Sequence, residues 1–393
     1  MKTAIFINTF AKMSNYDLDG LSTHGIRLVA IVAEDEHQKF TKAYDKYFAE
    51  IHSCAKTSND PFEKISYDFA KNIVKNEIIS SGSMVKIICL SEDNLLLAAE
   101  LRDEFDISGM RLEQAKSFRD KTIMKDILRA KNIRTPHYVK FDANAARDSK
   151  SYYDCLQREI NLPFVLKPFN LLGGLGIVMI NSFEEFISGT LYHCDSIVKD
   201  KEIIFSTCCE YTNPNFDFQA GKSVISMSLK NSDPVAQRIF EFNQNVLNAM
   251  NLEEGISHHE LFITNKNEIV FLEIAARSPG AVVTPMYRQS FNVAMEDIDF
   301  KIQMNIPFQL TPSYNTYYLS GILPSLSGTV KELVSPDIKS KYEMKWAVKE
   351  GDLTSASMSL RDKSGSISAW NINYEELRDD FNYLKNYQNT LVS

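Results

Sequence analysis

Two distant segments constrain the fold of this chain more tightly than anything else in it: the run Lys167-Pro-Phe-Asn-Leu-Leu-Gly-Gly-Leu-Gly176, and the pair of acidic runs that hold Glu260 and Glu273. In the second, His259-Glu-Leu-Phe-Ile-Thr264 and Glu268-Ile-Val-Phe-Leu-Glu-Ile274 are rich in β-forming residues and flank the turn cluster Asn265-Lys266-Asn267. That pattern predicts an antiparallel hairpin. With Lys266 and Asn267 as a two-residue loop, residue 265 pairs with 268, 264 with 269, and Glu260 faces Glu273. Side chains so paired have Cβ atoms about 5 Å apart, and like charges there destabilise a sheet. A hard divalent cation is the usual compensation, since Mg²⁺ takes one or two carboxylates and completes its shell with substrate phosphates. The competing reading is a charged outer face of an edge hairpin, and the apolar residues beside both glutamates argue against it. Arg277 falls on the Glu273 side if the strand continues, as a planar donor fork for a phosphate or a carboxylate.

The first segment supplies the anion half. Pro163-Phe-Val-Leu-Lys167 is a short apolar run ending in a cation, followed by Gly173, Gly174 and Gly176. Glycines let backbone N–H groups converge on an anion, and a lysine at a strand end adds a positive charge. An ordinary glycine-rich hairpin turn is the alternative. The spacing differs from the GxxxxGK[ST] phosphate loop, and no GxGxxG follows the first apolar run, Lys2-Thr-Ala-Ile-Phe-Ile7. Read together, the two segments form one nucleoside triphosphate site.

The order of these motifs resembles the ATP-grasp superfamily, particularly its carboxylate-amine ligases of the L-amino acid ligase kind, over nearly the whole chain. The resemblance begins at Arg119-Asp-Lys-Thr-Ile-Met-Lys-Asp-Ile-Leu128 and Asn132-Ile-Arg-Thr-Pro136, similar to the family's entry segment. It implies that Lys121 touches the α-phosphate, that Lys167 is the second phosphate lysine, and that Gly173 to Gly176 fold over the β- and γ-phosphates as a lid. Ile203-Ile-Phe-Ser-Thr-Cys-Cys-Glu-Tyr211 resembles the strand and hinge that hold adenine through backbone groups, with Glu210 at the acidic hinge position, Tyr211 beside it, and Asp217 as the candidate for the ribose hydroxyls. Glu260 and Glu273 match the metal ligands, and Arg277 and Lys167 the groups that act on the transferring phosphoryl group. The chain departs from the pattern in three places. Ala275 stands where the family often has Asn, which leaves a metal ligand to water or to bidentate use of Glu273. Leu171 and Leu172 stand where serines are common, and Asn213-Pro214-Asn215 where an acidic ribose contact is expected.

Composition fits that picture. A chain of 393 residues with 44% hydrophobic content has core enough for two or three domains. The net charge of −8 argues against a nucleic-acid or anionic-membrane binder. Six cysteines without C-x-x-C spacing point to a reducing compartment. With no signal peptide before the first strand and no apolar run near ~18 residues, the expectation is a cytoplasmic protein.

Along the chain, strands at 4–8, 26–33 and 84–90 alternate with helices at 35–51, 61–79 and 93–105, a βαβ pattern with a parallel sheet. Residues 1–115 are therefore read as a Rossmann-like, pre-ATP-grasp domain. Residues 116–310 form the mixed α+β ATP-grasp catalytic domain, with a hairpin over 216–229 and a helix whose N-cap is Asp233. Residues 311–393 form a small C-terminal domain packed on the core, closing with a helix over 374–388. His258 and His259 flank Glu260, and the absence of a helical H-E-x-x-H argues against zinc. His258 and Arg288 are kept as substrate contacts, and Arg238 is read as solvated.

The function implied is an ATP-dependent carboxylate-amine ligase with Mg²⁺ (or Mn²⁺) that activates a small carboxylic or amino acid as an acyl phosphate and passes it to an amine, releasing ADP and phosphate. The alternatives are an acid-thiol ligase with a carrier-protein acceptor, a phosphotransferase, and a non-catalytic ATP-binding subunit. Small-molecule acids and amines are the expected partners, with a homodimer also entertained.

Overall fold

The computed structural model describes the chain apart from residues 1, 9–12, 14, 56–64, 82–83, 90, 141, 143, 145–146, 161–162, 169–179 and 281, with the backbone alone for 8, 149, 166–168 and 180–183. The first sheet is parallel, in the order β3-β2-β1-β4, from β1 (Thr3–Asn8), β2 (Arg27–Ala33), β3 (Glu50–Cys54) and β4 (Val85–Ile88). The inner strands β1 and β2 are apolar on both faces because both are covered. Helices α3 (Tyr67–Ser81) and α4 (Leu95–Glu104) pack on one face, and α1 (Leu18–Ser22) and α2 (Glu34–Tyr44) lie towards the other. The short α5 (Leu112–Ser117) and α6 (Lys121–Ala130) follow. The expected helix over 35–51 is corrected: it ends at Tyr44, and Glu50–Cys54 is an edge strand. Only its last residue is buried, so it lacks the apolar run that marks its neighbours.

A small antiparallel sheet, β5-β7-β6, comes next, with β5 (Tyr138–Lys140), β6 (Phe164–Pro168) and β7 (Ile180–Glu185); α7 (Ser149–Ile160) packs on it. From β7 the chain passes through Phe186, Ile187 and Ser188 into the large sheet. It enters at Gly189, where a Cβ would stand 2.3 Å from the Ile263 carbonyl oxygen, so the close approach requires glycine.

The large sheet has eight strands: β8 (Gly189–Lys199), β9 (Glu202–Tyr211), β10 (Val224–Ser228), β11 (Gly255–Thr264), β12 (Ile269–Ala275), β13 (Tyr317–Pro324), β15 (Lys341–Trp346) and β17 (Lys363–Asn371). The order is β12-β11-β8-β9-β10-β13-β17-β15, all antiparallel. Three of the strands after residue 311, β13, β15 and β17, thus extend the same sheet. A fourth, small sheet joins β14 (Gly328–Leu333), β16 (Leu353–Thr354) and β18 (Thr390–Val392). Helix α8 (Pro234–Ala249), capped by Asp233 as expected, covers one face of the large sheet, and α9 (Val283–Phe291) covers the other. Helix α10 (Met295–Gln303) reaches back to the parallel sheet, where Phe300 stacks on Phe6 at 5.4 Å, and α11 (Tyr374–Leu384) closes the C-terminal half. The hairpin expected over 216–229 is also corrected. Asn215–Ala220 is a 3-10 helix ended by Gly221 at φ +82°, and only Val224–Ser228 is a strand.

Two ion pairs tie α6 and the segment after it to the small sheet. Lys125 and Glu184 pair at 1% and 2% side-chain exposure, and Arg134 grips Glu185 in a fork at 2.8 and 2.9 Å. Removing one partner of a pair this buried leaves a charge without solvent, at a cost of about 3–5 kcal/mol. Lys125→Met is therefore expected to lower the free energy of unfolding in urea by about that amount, and adding Glu184→Leu should recover most of it.

Candidate active site

The acidic hairpin forms, and Glu260 stands opposite Glu273. The turn differs from the two-residue loop expected. Thr264 N–H donates to the Glu268 carbonyl at 2.9 Å and Asn267 N–H to that of Thr264 at 2.8 Å, so Asn265, Lys266 and Asn267 all lie in the loop. Asn267 takes φ +64°, a left-handed conformation that asparagine tolerates. Arg238 of α8 holds this residue through its side chain at 2.7 Å and its carbonyl at 2.9 Å, so Arg238 is an anchor and not a solvated residue. The ladder begins one residue out of the expected register, with Ile263 against Ile269 and Leu261 against Phe271. A bulge at Leu272 then restores it, matching Glu260 to Glu273 and His258 to Ala275. Phe271 supplies the reason: it is wholly buried on the α8 side, and the bulge lets it point there while Leu272 and Glu273 both take the other face.

Glu260 is buried, and three side chains meet it. The Tyr211 hydroxyl donates to Oε1 at 3.2 Å, Asn215 Nδ2 reaches the two oxygens at 3.1 and 3.4 Å, and His258 Nε2 lies 3.5 Å from Oε1. Glu273 holds the ammonium of Lys121, Nζ to Oε2 at 2.7 Å. Lys121 opens α6, whose N-cap Asp120 accepts from the N–H of Thr122 at 2.8 Å and of Ile123 at 3.2 Å. Burial works against the Lys121 ammonium, and Glu273 outweighs it, so its pKa is raised. Arg277 lines the same cleft as Lys121, Glu273 and His258, as the sequence leads one to expect. Its Nε donates to Glu92 Oε2 at 2.7 Å, and Glu92 also holds Arg119. Glu92 is missing from the sequence-based site. Its signal is its place just beyond β4, at the carboxyl end of a parallel strand, where ligand sites gather.

Beside Glu260 lies a second polar cluster that sequence reasoning also passed over. Asp195, wholly buried, has His258 Nδ1 at 2.6 Å from Oδ1 and His193 Nδ1 at 2.7 Å from Oδ2, and the Tyr287 hydroxyl donates to Oδ2. His193 Nε2 meets Ser226 Oγ at 2.6 Å. Burial opposes the Asp195 charge, but His193 and His258 hold its carboxyl well below the ordinary range. Burial likewise opposes charge on His258, and Asp195 more than offsets it. Nitrogen-to-oxygen separations of 2.6 and 2.7 Å are hydrogen bonds with no room for an ion between.

The remaining predicted residues are placed as follows. Tyr211 joins the site, but Glu210 points to the opposite face of β9, where Arg378 takes it at 2.6 Å and Lys385 at 3.2 Å. There it lines a separate cavity of about 430 Å³ with Tyr192 and Tyr374. Strand alternation makes this unavoidable, since neighbours on one strand face opposite ways. Asp217 pairs with Lys222 at 3.1 Å, two residues from Asn215. Arg288 is exposed and bonded to the Asn15 carbonyl at 3.2 Å, so it is not brought to the glutamates. Lys167 sits in β6 with its side chain outside the described residues, and Gly173, Gly174, Gly176 and the two leucines lie outside them altogether.

Facing carboxylates that draw in an ammonium and an imidazole form a donor set that fits a hard divalent cation. A small sheet linked through one crossing to a large antiparallel sheet that carries this pair is the ATP-grasp fold. No family model matches the chain. The chain is 25% identical over 315 residues to the L-arginine-specific L-amino acid ligase of Bacillus subtilis, covering 70% of this chain and 73% of that one. It is also 25% identical over 251 residues to the D-alanine–D-alanine ligase of Oceanobacillus iheyensis, covering 54% and 67%. The L-amino acid ligase of Bacillus licheniformis superposes with a TM-score of 0.72 at 14% identity, over 100% of this chain and 99% of that one. The fold is therefore that of the ATP-grasp proteins, and the relatives in sequence are ligases of amino acids.

A cation held by Glu273 would have to displace the Lys121 ammonium from it. Lys121→Met should therefore tighten Mn²⁺ binding to nucleotide-free protein about fivefold, as a partly exposed pair is worth ~1 kcal/mol, while weakening ATP binding. Titration of Mn²⁺ by its electron paramagnetic resonance signal, with and without nucleotide, measures both effects.

Proposed function

We propose that this enzyme activates the carboxylate of one amino acid with ATP and joins it to the amino group of a second. The observation that carries the reading is Glu260 directly opposite Glu273, with Lys121 on Glu273 and Arg277 in the same cleft. A free carboxylate is a poor electrophile because its leaving oxygen is anionic. Phosphorylation turns that oxygen into phosphate, so the order is acyl phosphate first and amine attack second. Likeness to ligases of amino acids supports an amino acid on both sides of the bond.

Each residue has a role in this reading. Glu260 and Glu273 would hold Mg²⁺, or Mn²⁺ in its place, and the ion would supply neutralisation of charge on the transferring phosphoryl group. Lys121 leaves Glu273 for the α-phosphate, a move of one flexible side chain. Lys167 and the loop of Gly173, Gly174 and Gly176 take the outer phosphates. Arg277 is held from behind by Glu92 and offers its guanidinium to the developing negative charge. Tyr211 and Asn215 keep the Glu260 carboxylate in one orientation.

Glu273→Ala is expected to abolish ADP formation, more than about a thousandfold if the charge stabilisation there is of the usual size, while far-ultraviolet circular dichroism stays unchanged. Full turnover in that variant would sink the metal assignment. In the parent enzyme, a panel of amino acids singly and in pairs should release ADP steadily only with an acid and an amine both present. ADP release that ignores the second amino acid points instead to a phosphotransferase.

A further inference from the structure

We propose that His258 is a third protein ligand of the divalent cation, through Nε2, and that Asp195 holds it for that role. The inference rests on the reading of Glu260 and Glu273 as metal carboxylates, and goes beyond it by adding a nitrogen donor to an oxygen site.

His258 Nδ1 lies 2.6 Å from Asp195 Oδ1. A histidine that binds a metal through one ring nitrogen almost always donates from the other to a carboxylate, carbonyl or water. Asp195 itself has little freedom to move: it is wholly buried and is gripped by His193 from its own strand and by Tyr287 from α9. The imidazole is thereby given one orientation, with Nε2 on the side of Glu260, and the residue lines the cleft that also holds Glu273 and Lys121.

There Nε2 stands 3.5 Å from Glu260 Oε1. That is long for a hydrogen bond and close to the spacing of two neighbouring ligands on one ion, ~3 Å for bonds of ~2.1 Å at right angles. On the next strand His258 pairs with Ala275. A methyl side chain offers no ligand atom, so the imidazole is the one side chain of that cross-strand pair able to coordinate. The cation would displace the Nε2 proton, as it displaces the Lys121 ammonium. A nitrogen in the set shifts preference from Mg²⁺ towards first-row transition ions.

The experiment uses the full chain with ADP and Mn²⁺. Electron spin-echo envelope modulation of the complex should reveal a directly coordinated nitrogen, and the pattern should change when isotopically substituted histidine is supplied. His258→Gln should remove that coupling and raise the Mn²⁺ dissociation constant about tenfold or more. Ser226→Ala, at the far end of the His193 arm, should leave the constant unchanged even if it lowers thermal stability. Mn²⁺ that binds without histidine coupling overturns the proposal and leaves the two-carboxylate reading standing. Mn²⁺ that does not bind at all overturns both. Because isotope substitution is done on the native sequence, the decision does not depend on the variant folding.

Discussion

Two like charges set face to face in a sheet are the constraint around which this structure is arranged. At about 5 Å and an effective dielectric near 20, two carboxylates repel by ~3 kcal/mol. Such a pair persists only where other groups answer it. Here the answers come from separate parts of the chain: Lys121 from the head of α6, Tyr211 from β9, Asn215 from the 3-10 helix and His258 from β11. Each is fixed by an element with its own reason to be there.

Helix α6 illustrates the point. Its apolar side, with Met124 and Leu128, packs against Phe271 and Ile274 of β12 in one core cluster, which brings its first residue level with Glu273. Its middle holds Lys125, paired with Glu184 in the small sheet. The segment after it accepts a hydrogen bond from Phe271 N–H to the Arg134 carbonyl at 2.9 Å. One short helix thus connects the outer edge of the large sheet to the small sheet that bears Lys167. The spacing between the head of α6 and the backbone of β6 is set by packing and a buried ion pair, not by loop length.

The legible part of the sequence was whatever depends on period and on charge. The parallel strands, the Asp233 cap and the Glu260–Glu273 match are all of that kind. The match was reached by an idealised hairpin, and two departures cancelled: a three-residue turn moved the register by one, and the bulge at Leu272 moved it back. Had the ladder run straight from the expected turn, Phe271 would have shared a face with the carboxylates, so the burial of one aromatic ring decided the detail. The likeness placed Glu210 at a hinge that holds adenine through backbone groups and left its side-chain direction unread; alternation along β9 sends Glu210 and Tyr211 to opposite faces, and only the latter reaches Glu260. Asp195 and His193 left no trace in the sequence because their partners come from β11, β10 and α9, a juxtaposition that no local pattern encodes.

The parallel sheet has no glycine fingerprint, yet it takes part in the site. Glu92 stands at the carboxyl end of β4, where such sheets present their ligand-binding groups, but its carboxylate is spent on Arg119 and Arg277. A carboxylate so used would repel phosphate if it faced the cleft alone. Between two guanidiniums it does the reverse: it fixes the direction of Arg277 while leaving that corner with a net positive charge. Arg277 follows β12 directly, so its backbone is set by the strand that carries Glu273 and its side chain by the loop after β4. The direction of Arg277 in the cleft therefore depends on the parallel sheet and the antiparallel sheet meeting, which gives a physical reason why a sheet with no nucleotide motif of its own contributes to the candidate site.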